Sequence, residues 1–204
     1  MNMEGLKSIY RARRERILVP LAKRLNDYLI EIVQDYPRID RVTARAKDVD
    51  RFIAKAQKVE NGSAKYSDPL VQIQDQIGAR VVTFYLSDVE KLSKILEGYL
   101  APIEFQKIVP DSPNEFGYEG KHYIMFFPDD IRGRVAQEDD VPDFFELQIK
   151  TLFQHAWGEA DHDLAYKPQG GLTIDQKRRV AFTAAQAWGA DRIFNELAQE
   201  LVTR

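Results

Sequence analysis

The chain has 204 residues, 44% hydrophobic and 30% charged, with a net charge of −3 and no cysteine. This composition belongs to a folded globular protein, and it excludes a disordered chain, thiolate metal sites, a cysteine nucleophile and disulfides. The acidic balance gives no global basic field for nucleic acid. No stretch approaches the roughly 18 apolar residues of a membrane span, and MNMEGLKSIYRARRERI holds no run of signal-peptide length. The expected location is the cytoplasm, away from membranes.

Leu18, Leu21, Leu25, Leu29 and Ile32 recur at three- and four-residue spacing, which predicts an amphipathic helix ending before Pro37, with a start or kink at Pro20. From Arg41 to Lys47 the pattern alternates: Arg41, Thr43, Arg45 and Lys47 share one face, and Val42, Ala44 and Ala46 the other. Asp48 to Glu60 reads as helix and Asn61 to Pro69 as loop. Gly78 to Leu86 is β-rich, and Asp88 to Leu100 reads as a helix with Ser87 as N-cap. Strands follow at Ile103–Val109 and His122–Phe127, then a polar loop over Asp129–Asp143, then a strand at Phe144–Lys150. Helices are expected over roughly 151–166 and 173–203, the second opened by the capping box Thr173-Ile174-Asp175-Gln176. Trp157, Trp188, Phe182 and Phe194 are expected to build helix-packing core. About five strands mixed with helices, helical at both ends, predict an α+β or mixed α/β fold. No linker or repeat divides the chain, so residues 1–204 read as one domain: a motif core over about 40–170, with helical extensions at 1–37 and 173–204.

The strand before the last two helices is the most informative. Phe145, Leu147 and Ile149 point one way, and Glu146, Gln148 and Lys150 the other. A strand inside a mixed domain should be covered on both faces, so this polar row predicts a site. Basic residues Arg41, Arg45 and Lys47, with Lys55 beyond, suit a polyphosphate. Asp75-Gln-Ile-Gly78-Ala-Arg80 places a carboxylate just before a buried strand, where Asp75 and Glu146 could share Mg²⁺. Phe116-Gly117-Tyr118-Glu119-Gly120-Lys121-His122 frames an aromatic residue with glycines, and Tyr118 could stack a base. His155, Glu159 and His162 share a helix face. Glu159-Ala-Asp-His162 has the spacing of a di-iron ligand pair, but the second pair and extra glutamates such a site needs are missing.

In this order, the motifs resemble the synthetase domain of the RelA/SpoT homologues. VTARAK with Lys55 resembles the family's ATP-phosphate motif, DQIGARVV its Asp-x-x-Gly-x-Arg strand and FGYEGKH its guanine loop. ELQIKT with HAWGEADHDLAYK is similar to its Glu-x-Gln-Ile-Arg/Lys-Thr and His-Ala-Trp-x-Glu signatures. The family's hydrolase and regulatory domains have no counterpart, so the chain resembles a small stand-alone synthetase with a nucleotidyltransferase-like mixed sheet. The resemblance implies transfer of the β,γ-diphosphate of ATP to the 3′-hydroxyl of GDP or GTP, making (p)ppGpp. Arg45 and Arg80 would sandwich adenine, and Arg45, Lys47 and Lys55 would bind its phosphates. Asp75 and Glu146 would hold Mg²⁺, with Glu146 also taking the hydroxyl proton. Tyr118 would stack on the acceptor base, and His122 and Gln148 would meet its ribose or phosphates.

Gly120 replaces the family's loop serine, and Asn114 and Phe116 stand where many members carry Lys and Asn. The loop also resembles toxic small synthetases, some of which modify the tRNA 3′-CCA end and others make adenosine analogues. Arg11, Arg13, Arg14 and Arg16 could then contact tRNA. An antitoxin partner, a homo-oligomer and an inactive nucleotide-sensing module stay open as further readings.

Overall fold

The computed structural model describes residues 2–110, 112, 114–117, 119–133, 141–165 and 171–201. Helices α1 (Met3–Arg13) and α2 (Val19–Val33) are joined by a π-helical segment, Arg14–Leu18. The interruption expected at Pro20 is thus a widened turn just before it, and the chain stays helical. Strand β1 (Ile39–Ala46) follows, then α3 (Val49–Ala56), which Asp48 caps through the Asp50 and Arg51 amides. The helix expected to reach Glu60 stops early. Residues 61–69 were expected as loop, and part of them closes a small hairpin, β2 (Val59–Glu60) with β3 (Ser63–Ala64). Asn61 and Gly62 turn it at φ 52° and 80°, the left-handed pair that a two-residue hairpin turn requires.

A short helix α4 (Pro69–Gln72) and a 3₁₀ turn (Gln74–Gln76) lead into β4 (Ile77–Thr83). Then come α5 (Leu86–Tyr99), β5 (Pro102–Ile108), β6 (Gly120–Phe126), α6 (Asp129–Arg132), β7 (Phe144–Thr151), α7 (Leu152–Ala165) and α8 (Ile174–Leu201). Ser87 is not the N-cap of α5: it lies inside the helix, and its amide donates to Asn195 Oδ1 of α8 at 2.8 Å. The cap at Thr173 forms as expected, with Thr173 N donating to Gln176 Oε1 and Gln176 N to Thr173 Oγ1.

The main sheet is mixed, ordered β1-β4-β7-β6-β5, with β4 and β7 parallel and the other pairs antiparallel. One face is the core. Leu21, Leu25 and Leu29 of α2 and Leu92 and Leu96 of α5 bury it with Val81, Phe145, Leu147 and Ile149. Tyr10 of α1 stacks on Phe52 of α3, ring centroids 3.6 Å apart. The expectation that Phe182 builds core is corrected, since it is 64% exposed; Phe194 and Trp188 are 49% and 38% exposed, yet Phe194 stacks on Phe153 of α7 with ring centroids 5.7 Å apart. On α8 the buried residues are Ala184, Asp191 and Ala198, seven apart, so the helix lays down one narrow seam, with Phe194 and Trp188 at its margin against Phe153 and Phe116. Among the described residues, no helix is long and apolar enough to cross a membrane.

Candidate active site

The second sheet face carries the chemistry, and cross-strand register builds it. Arg45 of β1 is opposite Gly78 of β4, which is opposite Glu146 of β7. One step along, Thr43, Arg80, Gln148 and His122 align across β1, β4, β7 and β6. Residues in register share a face, so a single surface gathers these side chains. A Cβ added to Gly78 would meet nothing within 4 Å, so the space between Arg45 and Glu146 is open.

Two clusters flank that space. In the first, Asp75 lies on the turn entering β4 and pairs with Lys47 (2.7 Å) and Lys55 (3.0 Å). Its Oδ1 is buried and, despite its nearness to Lys55, has no hydrogen-bond partner. Buried Gln76 pins the turn by donating to the carbonyls of Leu70 and Ile73. Lys47 is fixed through its backbone: its amide donates to the Gln76 carbonyl, and its own carbonyl accepts from Tyr10 Oη and Arg14 Nε. The N-terminal helix therefore sets the position of a phosphate-binding candidate. Arg13 likewise donates to the Leu70 carbonyl.

In the second cluster, His122 Nδ1 lies 2.9 Å from Glu146 Oε1, and Gln148 Nε2 donates to the same oxygen at 3.1 Å. Burial alone would raise the Glu146 pKa. The hydrogen bond and charge of His122, the Gln148 amide and the positive Lys55 outweigh it and hold the carboxyl at about 2. Glu146 is therefore ionised across the physiological range.

Arg80 turns toward α7, where its Nη1 meets Glu159 Oε1 at 2.7 Å and His155 Nδ1 at 3.2 Å. Lys150, 3% exposed, closes this side of the face. Burial and then the Arg80 charge push its pKa down to about 7. Tyr118, the expected stacking residue, lies outside the described residues.

The structure thus joins Asp75 with Lys47 and Lys55, and Glu146 with His122 and Gln148. The roles of Tyr10, Arg14 and Gln76 were not anticipated, because they act through distant backbone carbonyls. A signal for one further contact was present: Thr151-Leu-Phe-Gln154 repeats the capping-box pattern, and it caps α7. The di-iron spacing at Glu159 and His162 gains no support, since among the described residues no group of three or more His, Asp or Glu converges as a metal site.

The family model described as a region found in RelA / SpoT proteins matches residues 44–171. The chain belongs to this family. Over 203 residues this RelA/SpoT protein is 27% identical to GTP pyrophosphokinase YjbM of Bacillus subtilis (strain 168), covering 92% of this chain and 89% of that one. Its fold is similar to small alarmone synthetase 1 from Bacillus subtilis, with a TM-score of 0.72, 20% identity and 98% of each chain covered. It is equally similar to a GTP pyrophosphokinase family protein from Streptococcus pneumoniae, with a TM-score of 0.72, 24% identity and 88% of each chain covered.

Proposed function

We propose that this chain is an ATP-dependent diphosphokinase that moves the β,γ-diphosphate of ATP to the 3′-hydroxyl of GDP or GTP, making (p)ppGpp. The observation that carries this reading is the open space over Gly78, with the Asp75–Lys47–Lys55 cluster at one side and Glu146–His122–Gln148 at the other. The YjbM relative, named a GTP pyrophosphokinase, supports the same reaction class.

The 3′-oxygen attacks the β-phosphorus, its proton passes to Glu146, and the bond from the β-phosphorus to the α-phosphate oxygen breaks to release AMP. Lys47, Lys55 and Arg45 would take the phosphate oxygens, where charge shifts during transfer. That exchange frees Asp75 from its lysines. Asp75 and Glu146 fit Mg²⁺, since Asp75 Oδ1 is buried with the Lys55 ammonium 3.0 Å away, a cation that Mg²⁺ would replace, and Mg²⁺ typically takes one or two carboxylates beside substrate phosphates. Bound there, Mg²⁺ would neutralise the charge on the transferring diphosphate. His122 and Gln148 fix the Glu146 carboxylate by one oxygen. When acceptor phosphates engage His122, Glu146 loses that donor and becomes more basic, as proton removal requires. Tyr118 is assigned to stacking on the acceptor base.

The test offers ATP labelled at the γ-phosphate together with GDP, GTP, ADP or tRNA in parallel. Label should pass to GDP and GTP with release of AMP. Label passing only to tRNA or to ADP would replace the acceptor while leaving the donor site standing. No transfer to any acceptor would favour an inactive nucleotide-sensing module.

A further inference from the structure

We propose that Glu159 and His155 are positioning residues for the donor nucleotide: they hold the Arg80 guanidinium by one edge, in the orientation that stacks on the adenine of ATP. This rests on the reading of Arg80 as an adenine-stacking residue.

Both contacts fall on one nitrogen. Arg80 Nη1 meets Glu159 Oε1 at 2.7 Å and His155 Nδ1 at 3.2 Å, from side chains one turn apart on α7. Neither bond covers the flat faces of the guanidinium, which are the surfaces that stack on a base. Arginine only donates, so His155 Nδ1 is the acceptor and the ring proton sits on Nε2. Burial, and then the Arg80 charge, push the His155 pKa down, which keeps the ring in that accepting form. The Glu159 carboxyl is held below its usual range: burial opposes ionisation, and the charge and hydrogen bond of Arg80 prevail.

The local charge balance makes Glu159 the organising member. Arg80 and buried Lys150 oppose each other, and Glu159 offsets Lys150 as well as Arg80. Arg45, the other half of the expected adenine sandwich, also faces Glu159 electrostatically. Removing this carboxylate charge leaves Arg80 against Lys150 without its counterion. A free arginine loses side-chain entropy when it clamps a base, and a pre-held one has already lost it.

The test is steady-state kinetics, with ATP and acceptor varied separately, on Glu159→Gln, His155→Gln, Arg80→Ala and the double variant Arg80→Ala/Glu159→Gln. Glu159 is half-exposed, so both α7 variants are expected to fold, with thermal melts as the check. Glu159→Gln should raise the ATP KM about fivefold, leaving kcat and the acceptor KM within about twofold. In the Arg80→Ala background it should add nothing, because the group it acts through is gone. His155→Gln should show the same pattern more weakly. An additive loss in the double variant, or equal losses for donor and acceptor, would make the contact a mere strap between α7 and the sheet and overturn the proposal. If Arg80→Ala raises the ATP KM while Glu159→Gln is silent, the positioning role falls and the donor-site reading stands. If Arg80→Ala is itself silent, the stacking reading of Arg80 falls and this inference with it.

Discussion

The two faces of β7 show what each kind of residue contributes. Phe145, Leu147 and Ile149 are fully buried, packed toward α5 in the core. The alternating residues Glu146, Gln148 and Lys150 sit among charged groups from α3, β4, β6 and α7. On the apolar face shape and volume decide, and many hydrophobic combinations fill the same space. On the polar face a single oxygen of Glu146 is addressed by His122 and Gln148, so atom identity decides. Substitutions on the apolar face should therefore cost stability, and those on the polar face should cost chemistry.

The sharpest break of this comparison is Glu146→Gln. It keeps the shape and removes the charge, so transfer from labelled ATP should fall by about 10²–10⁴ while ATP binding holds. Because the folded state stabilises the Glu146 carboxylate, the melting temperature should drop modestly as well. Retention of more than half the wild-type turnover would remove Glu146 from the mechanism. Its neighbour gives the converse. Leu147→Ala should destabilise by about 2–5 kcal/mol in urea unfolding, with the KM values of the folded fraction unchanged. A selective rise in one substrate's KM would show that the faces are not separable.

The end of the same strand tests the border between them. Thr151 is buried and donates to Asp191 Oδ2 at 2.7 Å, while Asp191 Oδ1 is buried without a partner. Burial lifts the Asp191 pKa from 3.8 to about 6. The folded state then holds this proton more tightly than the unfolded state. Its stabilising contribution is complete below 3.8 and is lost as pH rises through 6. Asp191→Asn should raise stability by roughly 2 kcal/mol at pH 7 and by little at pH 4. Equal gains at both pH values would show that packing, not ionisation, dominates there.

A smaller effect is expected at Lys47→Ala, which should raise the ATP KM and lower kcat, each by roughly tenfold or less, because the phosphates it meets change charge in the transition state. Normal ATP turnover would make this side of β1 a solvated edge. The smallest concerns the N-terminal arginines. Arg13 and Arg14 are unsuitable probes of a tRNA surface, since each donates to a carbonyl of the site's scaffold. Arg11 is exposed, and Arg11→Glu should leave transfer to GDP unchanged at any salt. A loss of transfer to tRNA that is largest at low salt and shrinks as salt rises would point to a polyanionic acceptor.

Much of this was legible beforehand. The alternation at 145–150 marked both faces of β7, and ordered motifs marked Asp75, Arg80 and Glu146. Thr173 and Gln176 cap α8 as their spacing requires. Other features misled. Ser87 looked like an N-cap, yet it lies in the first turn of α5 and its own amide donates to Asn195, 108 residues away. Phe182 looked like core because it is large and apolar, yet it is exposed and the buried seam of α8 runs through Ala184, Asp191 and Ala198.

The sequence by itself determined which side chains alternate, which segments wind into helices and which motifs stand in order, because strand and helix periods act over a few neighbouring residues. Only the tertiary structure decided that Arg80 is held from α7, 75 and 79 residues further along the chain, that Lys47 and Lys55 converge on Asp75, and that α1 secures the Lys47 carbonyl. These are contacts between charged or polar groups remote in sequence. Their partners are selected by sheet register and helix docking, which no local spacing encodes.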